Sequence, residues 1–278
     1  MDVPSEHQDL TVVIPCFNYG RFLPEALDSV RAQEGGSPQI IVVDDGSTDR
    51  ETRMTLAGLP SDVRVLHQPN SGRAAARNAG CAAASTSLLL TLDADDLLAK
   101  GAVQALKRGL ADDPTAGFAY GGMRFFGDWS GDLEMPGWDP YRLLYRHAIG
   151  ATALTRRDLF RDVGGWDPEI GGYEDWEFWL HALAKGWHGV KVPDVTLLYR
   201  RHGDTMLSGD RRQYRRWYRA IRFKHAALYH RAAELAGQSD LGPLGRAVYR
   251  YYWGPRPVPA SAEAWLYRIL WGRRGRLK

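Results

Sequence analysis

Three aspartates fall within four residues, at Asp93, Asp95 and Asp96, directly after the apolar run Ser87–Leu92. Carboxylates this close repel one another unless a cation lies among them. Hard divalent cations such as Mg²⁺ and Mn²⁺ prefer oxygen ligands and often bridge substrate phosphates. The alternative is a helix N-terminus, where aspartates stabilise free backbone N–H groups. Their place at the end of a strand-like run favours the cation site.

A second acidic group, Glu174, Asp175 and Glu177, follows the pair Gly171-Gly172. A carboxylate beside aromatic rings is suited to general-base catalysis. Because sugars present apolar C–H faces, an aromatic wall next to such a carboxylate indicates a sugar pocket. The simpler interpretation is a helix whose first-turn acids stabilise the dipole. The flanking aromatic residues are Trp166, Tyr173, Trp176 and Trp179.

Two arginines, Arg73 and Arg77, lie one helical turn apart, and guanidinium groups match phosphate geometry. By themselves they are more typical of a solvated helix face. Asp45, in Asp44-Asp45-Gly46, is suited either to accepting from a nucleobase or ribose or to a turn and helix cap. His202 is a candidate metal ligand, although residue type alone favours an ordinary hydrogen-bonded histidine.

The elements that position these groups alternate along the first hundred residues. Apolar runs at Thr11–Ile14, Gln39–Val43, Val63–Leu66 and Ser87–Leu92 predict strands buried on both faces. Segments whose apolar residues recur at helical spacing separate these runs, and helix caps are predicted at Ser47–Asp49 and at Ser71. This order predicts an α/β fold with a doubly wound, mainly parallel sheet. Its strand ends would place the acidic motifs along one crevice.

The later chain is less regular. Helices are predicted at 102–110, 156–163, 174–185 and 210–235, and a strand at 118–120. The glycine-rich and aromatic stretch 121–150 predicts a long irregular segment.

The composition is that of a globular protein: 278 residues, 44% apolar and 25% charged. Two cysteines argue against a disulfide scaffold and for a reducing compartment. There is no apolar run of membrane-spanning length, and the polar N-terminus does not resemble a signal peptide. We therefore expect a cytoplasmic enzyme.

The net charge of +3 conceals an uneven distribution. Residues 200–278 carry 18 Lys/Arg against 5 Asp/Glu, whereas residues 1–199 carry 18 against 28. The basic, aromatic tail predicts either a helical cap or homo-oligomer interface, or a peripheral contact with an anionic membrane. The acidic body argues against nucleic acid as a partner.

Several common catalytic motifs are absent from the sequence, among them GxxxxGK[ST], GxGxxG, HExxH and GxSxG. Taken together, six segments instead resemble the inverting family-two glycosyltransferases with a GT-A fold. They occur in family order and at family-like spacing: Val12–Asn18, Val42–Asp49, Asn70–Gly72 with Ala76–Asn78, Leu92–Asp96, Gly164–Asp167 and Glu174–Trp179.

The resemblance implies a nucleoside-diphosphate sugar donor, UDP-linked, and a divalent cation, Mn²⁺ or Mg²⁺. Pro15 and Phe17 would flank the nucleobase, with Phe17 standing where tyrosine is common. Asp45 would read the uracil edge, and Arg73 and Arg77 would contact the donor.

The resemblance also implies roles for the remaining acids. Asp93 would face the ribose, Asp95 would bind the metal with His202, and Asp96 would face the sugar or metal. Asp175 matches the catalytic base of a single displacement with inversion. The acceptor and sugar pocket would be formed by Trp166, Tyr173, Glu174 and Trp176.

Three parts of the chain follow from this interpretation. Residues 1–100 form the nucleotide-sugar half, 101–205 the acceptor and catalytic half, and 206–278 a helical C-terminal extension. The acceptor class stays open among glycan, lipid, peptide and natural product. A non-catalytic nucleotide-sugar-binding module is the alternative, followed by a sugar nucleotidyltransferase, which would need a glycine-rich loop in place of Pro15–Asn18.

Overall fold

The computed structural model describes residues 9–34, 38–202 and 206–253 of the chain. The strands in these ranges are β1 Leu10–Cys16, β2 Gln39–Asp44, β3 Val63–His67, β4 Leu88–Thr91, β5 Leu97–Leu98, β6 Phe118–Gly127, β7 Gly131–Leu133, β8 Leu154–Arg156 and β9 Gly189–Arg201. The helices are α1 Leu23–Arg31, α2 Arg50–Ala57, α3 Arg73–Ala83, α4 Ala102–Asp112, α5 Pro140–Tyr145, α6 Arg157–Val163, α7 Glu174–Ala184, α8 Met206–Lys224, α9 Ala226–His230, α10 Ala232–Gly237 and α11 Pro243–Val248, followed by a π-helical turn Tyr249–Trp253.

The four predicted strands form the parallel half of the sheet, in the order β3-β2-β1-β4. Alternate residues of β1 enter different cores: Val13 lies on one face, and Val12 and Ile14 on the other. Helices α1, α2 and α4 cover one face, and α3, α6 and α7 cover the other. The predicted α/β fold with a mainly parallel, doubly wound sheet is confirmed.

The second half of the sheet is mixed. From β4 the order continues β8-β6-β9-β5, and only the β6–β9 pair in this half is parallel among the described strands. Here the prediction of a long irregular segment at 121–150 was wrong in part, since β6 runs to Gly127 and β7 and α5 follow. Gly121 allows β6 and β9 to approach closely, since a Cβ there would lie 2.4 Å from Thr196 Cγ2.

The cap predicted at Ser71 is also corrected. The residue before α3 is Gly72, at a φ of +87°, and no side chain caps the helix there. The Ser71 hydroxyl instead donates to the carbonyl of Pro69. The cap at Asp49 is confirmed, because its carboxylate accepts from Thr52 N at 2.7 Å.

The described part of the C-terminal extension packs on the face of the sheet that holds α7. Tyr218, Ile221 and Leu228 share one hydrophobic cluster with Trp176 and Phe178. Within residues 9–34, 38–202 and 206–253, no helix is long and apolar enough to cross a membrane.

The outward side of α8 exposes Arg215, Arg219 and Phe223. The membrane or oligomer contact expected of residues 206–278 stays a prediction, as does the three-part division of the chain. The tail aromatics Trp265 and Trp271 lie outside the described residues.

Gly80 provides a test of how closely α3 lies on the sheet. A Cβ there would lie 2.2 Å from Val13 Cγ1 and 3.1 Å from Val43 Cγ2. We expect Gly80→Ala to lower the free energy of unfolding by about 1–3 kcal/mol, because the added methyl group would overpack the core. Urea denaturation measures the change.

Gly237, at the end of α10, is the matched control, since a Cβ there meets no atom within 4 Å. Gly237→Ala should leave stability unchanged or raise it by up to about 1 kcal/mol. Equal effects of the two substitutions would contradict the close packing of α3.

Candidate active site

The carboxyl ends of β1, β2 and β4 meet at one edge of the sheet, as parallel order requires. Cys16 at the end of β1 pairs in register with Asp44 at the end of β2. Next to Cys16, Pro15 is half-buried, and the Phe17 ring is 40% exposed. This edge therefore leaves an aromatic face accessible beside the acidic groups.

Asp45 is buried and holds the loop that leads into α3. Its carboxylate accepts from Gln68 Nε2 at 2.7 Å and from the backbone N–H groups of Ser71 and Gly72 at 2.9 Å each. A carboxylate offers about four acceptor positions, so about one remains for a ligand N–H. Asp45 thus shapes the loop and keeps capacity for a further donor.

A buried network joins α3 to α7 and to the end of β4. Arg77, 3% exposed, donates from Nη1 to Glu174 Oε1 at 2.9 Å and from Nη2 to Asp93 Oδ1 at 2.7 Å. Arg73 donates from Nη2 to Glu174 Oε2 at 2.9 Å, and its Nε also contacts Glu174. The two predicted donor-binding arginines therefore share a buried carboxylate, and Glu174 lies under them instead of lining an open pocket.

Two of the aspartates after β4, Asp95 and Asp96, lie in surroundings that disfavour negative charge. Burial, with Asp93 nearby, raises the pKa of Asp95, and burial with both neighbours raises the pKa of Asp96 well above its usual range. Asp96 accepts from the backbone N–H of Arg200 at 2.9 Å. This crowding of carboxylates is the condition that a bound cation would relieve.

The structure brings Asp95 and His202 together, with Oδ2 and Nε2 2.9 Å apart. The His202 ring packs against Phe22 and Tyr19, with centroids at 4.7 and 5.7 Å. The described part of the chain holds no group of three or more His, Cys, Asp or Glu side chains arranged for a metal. The Asp95 carboxylate suits Mn²⁺ or Mg²⁺ that takes other ligands from phosphate and water, and the His202 imidazole is a candidate second donor.

Asp175 lies in the opposite electrostatic surroundings, in the first turn of α7. Oδ2 lies 2.9 Å from His147 Nε2, and Oδ1 accepts from the backbone N–H of Trp176 at 2.9 Å. Burial alone would raise its pKa, but His147 and then Arg73 and Arg77 lower the pKa of this carboxyl. Asp175 is thus held ionised, and its side chain is 17% exposed.

Two predicted pocket residues lie in the core instead. Trp166 is 4% exposed and stacks on Phe178 at 4.5 Å, and Trp176 is fully buried with Nε1 donating to the Leu143 carbonyl. The predicted aromatic wall is therefore wrong for these two rings and for Trp179, which is also fully buried, because all three are core residues. Tyr173 is half-buried before α7, at a φ of +64° that is uncommon for a non-glycine residue.

His147 is the functional-site residue that sequence reasoning missed. It lies in the segment predicted to be irregular, 28 positions before Asp175. An isolated histidine among glycines and aromatics carries no periodic signal, so only the fold reveals its partner.

The glycosyl transferase family 2 profile matches residues 11–164, and a glycosyl transferase family group 2 profile matches residues 144–271. Since the first covers more than half of the sequence, the chain belongs to glycosyl transferase family 2.

Individual relatives agree with this assignment. The chain is 32% identical over 196 residues to the pre-mycofactocin glycosyltransferase of Mycobacterium tuberculosis, covering 65% of this chain and 40% of that protein. It is 37% identical over 100 residues to glycosyltransferase GlyG of Streptococcus pneumoniae, covering 35% of this chain and 33% of that protein. The chain thus spans about a third to two fifths of the length of these relatives.

Solved structures show the same fold. S. aureus TarS 1–349 in complex with UDP-GlcNAc superposes with a TM-score of 0.67 at 18% identity, covering 86% of this chain and 72% of that one. The mannosyltransferase PcManGT from Pyrobaculum calidifontis, in complex with GDP-Man and Mn²⁺, superposes with a TM-score of 0.56 at 21% identity. The match covers 95% of this chain and 76% of that one. The predicted GT-A fold is confirmed.

The buried network predicts an unequal effect of two charge removals. Glu174→Gln should lower the free energy of unfolding by about 3 kcal/mol, because it leaves the buried Arg77 guanidinium short of one anionic partner. The control is Glu234→Gln, in the exposed pair of Glu234 with Arg231 at 2.6 Å, which should cause no measurable change. Urea denaturation of both variants decides, and similar midpoints would show that the network does not contribute to stability.

Proposed function

We propose that the protein is an inverting, metal-dependent glycosyltransferase that moves a sugar from a nucleoside-diphosphate sugar to an acceptor nucleophile. The observation that carries this proposal is the bridge through Arg77, from Asp93 at the cation site to Glu174, the residue before Asp175. A site for the leaving diphosphate and an ionised base are thereby held by one side chain. The neighbours in complex with UDP-GlcNAc and with GDP-Man and Mn²⁺ support the donor class.

The donor would lie along the strand ends. Phe17 and Pro15 flank the nucleobase, and Asp45 accepts from its N–H edge, for which uracil is the first candidate. Asp93 faces the ribose, and Arg73 adds positive charge close to the diphosphate, whereas the buried Arg77 is paired with Asp93 and Glu174.

Asp95 and His202 would hold the divalent cation. When bound, the cation supplies positive charge that stabilises the departing diphosphate. Without it, burial and the nearby Asp93 raise the pKa of Asp95, and a bound cation would favour the ionised carboxylate.

The transfer is a single displacement. The nucleophilic atom of the acceptor forms a bond to the anomeric carbon on the face opposite the diphosphate, and the bond from that carbon to the phosphate oxygen breaks. The proton of the acceptor passes to the Asp175 carboxylate. One base and one stabilised leaving group suffice, so no covalent sugar–enzyme intermediate forms and the configuration inverts.

Asp175→Asn tests the base. We expect transfer to fall by about 10²–10⁴-fold, because general-base catalysis is lost, while donor binding survives. The measurements are nucleotide release from UDP-GlcNAc or GDP-mannose with Mn²⁺, and the thermal shift that each donor induces. Asp113→Asn is the control, since Asp113 also pairs with a histidine at 2.9 Å, His188, away from the strand ends. Near-normal turnover of Asp175→Asn would contradict the assignment.

Metal dependence is tested separately. Chelation with EDTA should abolish transfer, and Asp95→Asn should raise the Mn²⁺ concentration for half-maximal activity by at least about tenfold. Asp132→Asn, in an exposed pair with Arg124, should leave that concentration unchanged. Full activity in EDTA would remove the cation from the proposal, and donor binding with no turnover at all would favour the non-catalytic module.

A further inference from the structure

His147 contacts Asp175 in a geometry that determines where the imidazole carries its protons. Nε2 lies 2.9 Å from Asp175 Oδ2 and 3.1 Å from the carbonyl oxygen of Ile149. An ionised carboxylate and a backbone carbonyl only accept hydrogen bonds. Nε2 therefore carries a proton and donates it, and the proton that comes and goes with pH lies on Nδ1.

The segment that carries His147 is anchored to both sides of the site. Thr91 Oγ1, near the end of β4, donates to the carbonyl of Ala151 at 2.7 Å. Trp179 Nε1 on α7 donates to the carbonyl of Gly150 at 3.2 Å. The Tyr173 ring meets the imidazole edge-on, with centroids 5.6 Å apart. His147 is thus fixed relative to the cation-site strand and to the helix of the base.

The charged groups that face this pair come from two helices. Glu174 and Asp175 belong to α7, and they raise the pKa of His147 although burial alone would lower it. Arg73 and Arg77 belong to α3 and act on Asp175, where they lower the pKa of the carboxyl together with His147. The imidazole is therefore the group of this pair that changes charge nearest to neutral pH.

We propose that His147 is a positioning residue for Asp175, which orients the carboxylate through Nε2–H and sets, by its own charge, the pH range in which Asp175 acts as a base. This inference rests on the proposed function. It assigns a supporting residue to the base Asp175, and it predicts why activity falls at low pH.

The direction in which activity changes with pH follows from the two charge states of His147. Above its pKa the imidazole is neutral, still donates from Nε2, and leaves Asp175 the stronger base. Below its pKa the imidazolium places a full positive charge beside Asp175 and makes the carboxylate a weaker base. Since the pKa of His147 is raised, activity should fall as the pH decreases through a value above the ordinary pKa of histidine.

Two substitutions separate orientation from charge. His147→Gln keeps an N–H donor but cannot titrate, so kcat at pH 8 should stay within about threefold and the acid limb should move to lower pH. His147→Ala removes the donor as well, and kcat should fall about 10–100-fold at all pH values, an effect like that of removing a partner that orients a ligand. KM for the donor should stay unchanged in both. The assay measures nucleotide release from UDP-GlcNAc or GDP-mannose at saturating Mn²⁺.

His188 is the matched control, because its Nε2 lies 2.9 Å from Asp113 Oδ2 outside the site. His188→Gln should leave the pH profile unchanged. An acid limb in His147→Gln that coincides with that of the unaltered protein would overturn the proposal, and so would full activity of His147→Ala.

A measurement without turnover keeps this inference distinct from the proposed function. The histidine imidazole signals followed by NMR against pH should show His147 titrating at lower pH in Asp175→Asn than in the unaltered protein, because a negative neighbour is lost. An unchanged titration would refute the coupling even if the enzyme is active. A shifted titration in a protein that transfers no sugar would support the pair and refute the proposed function instead.

Discussion

The organisation of the site depends on the burial of one guanidinium. Arg77 is 3% exposed, and such a charge is tolerated only when anionic partners surround it. Its partners are Asp93, at the end of β4, and Glu174, at the start of α7. Because both ion pairs must form together, strand β4 and helix α7 are held in one relative position.

Around this guanidinium the protein maintains two carboxylate groups in opposite surroundings. Asp95 and Asp96 are crowded and buried, so their pKa values are raised, whereas Asp175 is stabilised as an anion by one histidine and two arginines. Environments that push like groups apart in pKa commonly divide chemical roles. In the proposed mechanism they separate a place for a cation from a place for a base.

The helical extension reaches the site through α7. Glu177 on α7 is fully buried, and it accepts from His225 Nε2 at 2.8 Å and pairs with Lys224 Nζ at 2.9 Å. Tyr214 and Tyr218, one turn apart on α8, both stack on Trp176 and continue this contact. The basic extension thus stabilises α7, the helix that carries Asp175. This contribution is separate from any role of the exposed arginines of the extension.

The sequence by itself determined the parallel half of the sheet, because apolar runs, helical spacing and caps such as Asp49 are local signals. It also predicted that Asp93 and Asp95 follow a strand and that Asp175 lies in the first turn of a helix, since short motifs are read from consecutive residues. Only the tertiary structure decided that Trp166 and Trp176 are core residues, that the 121–150 segment contains strands, and that His147 meets Asp175. Those outcomes depend on contacts between residues far apart in the chain, which have no periodicity to detect. The same reason explains why Arg77, which in sequence resembles a solvated helix position, is a buried ion-pair centre.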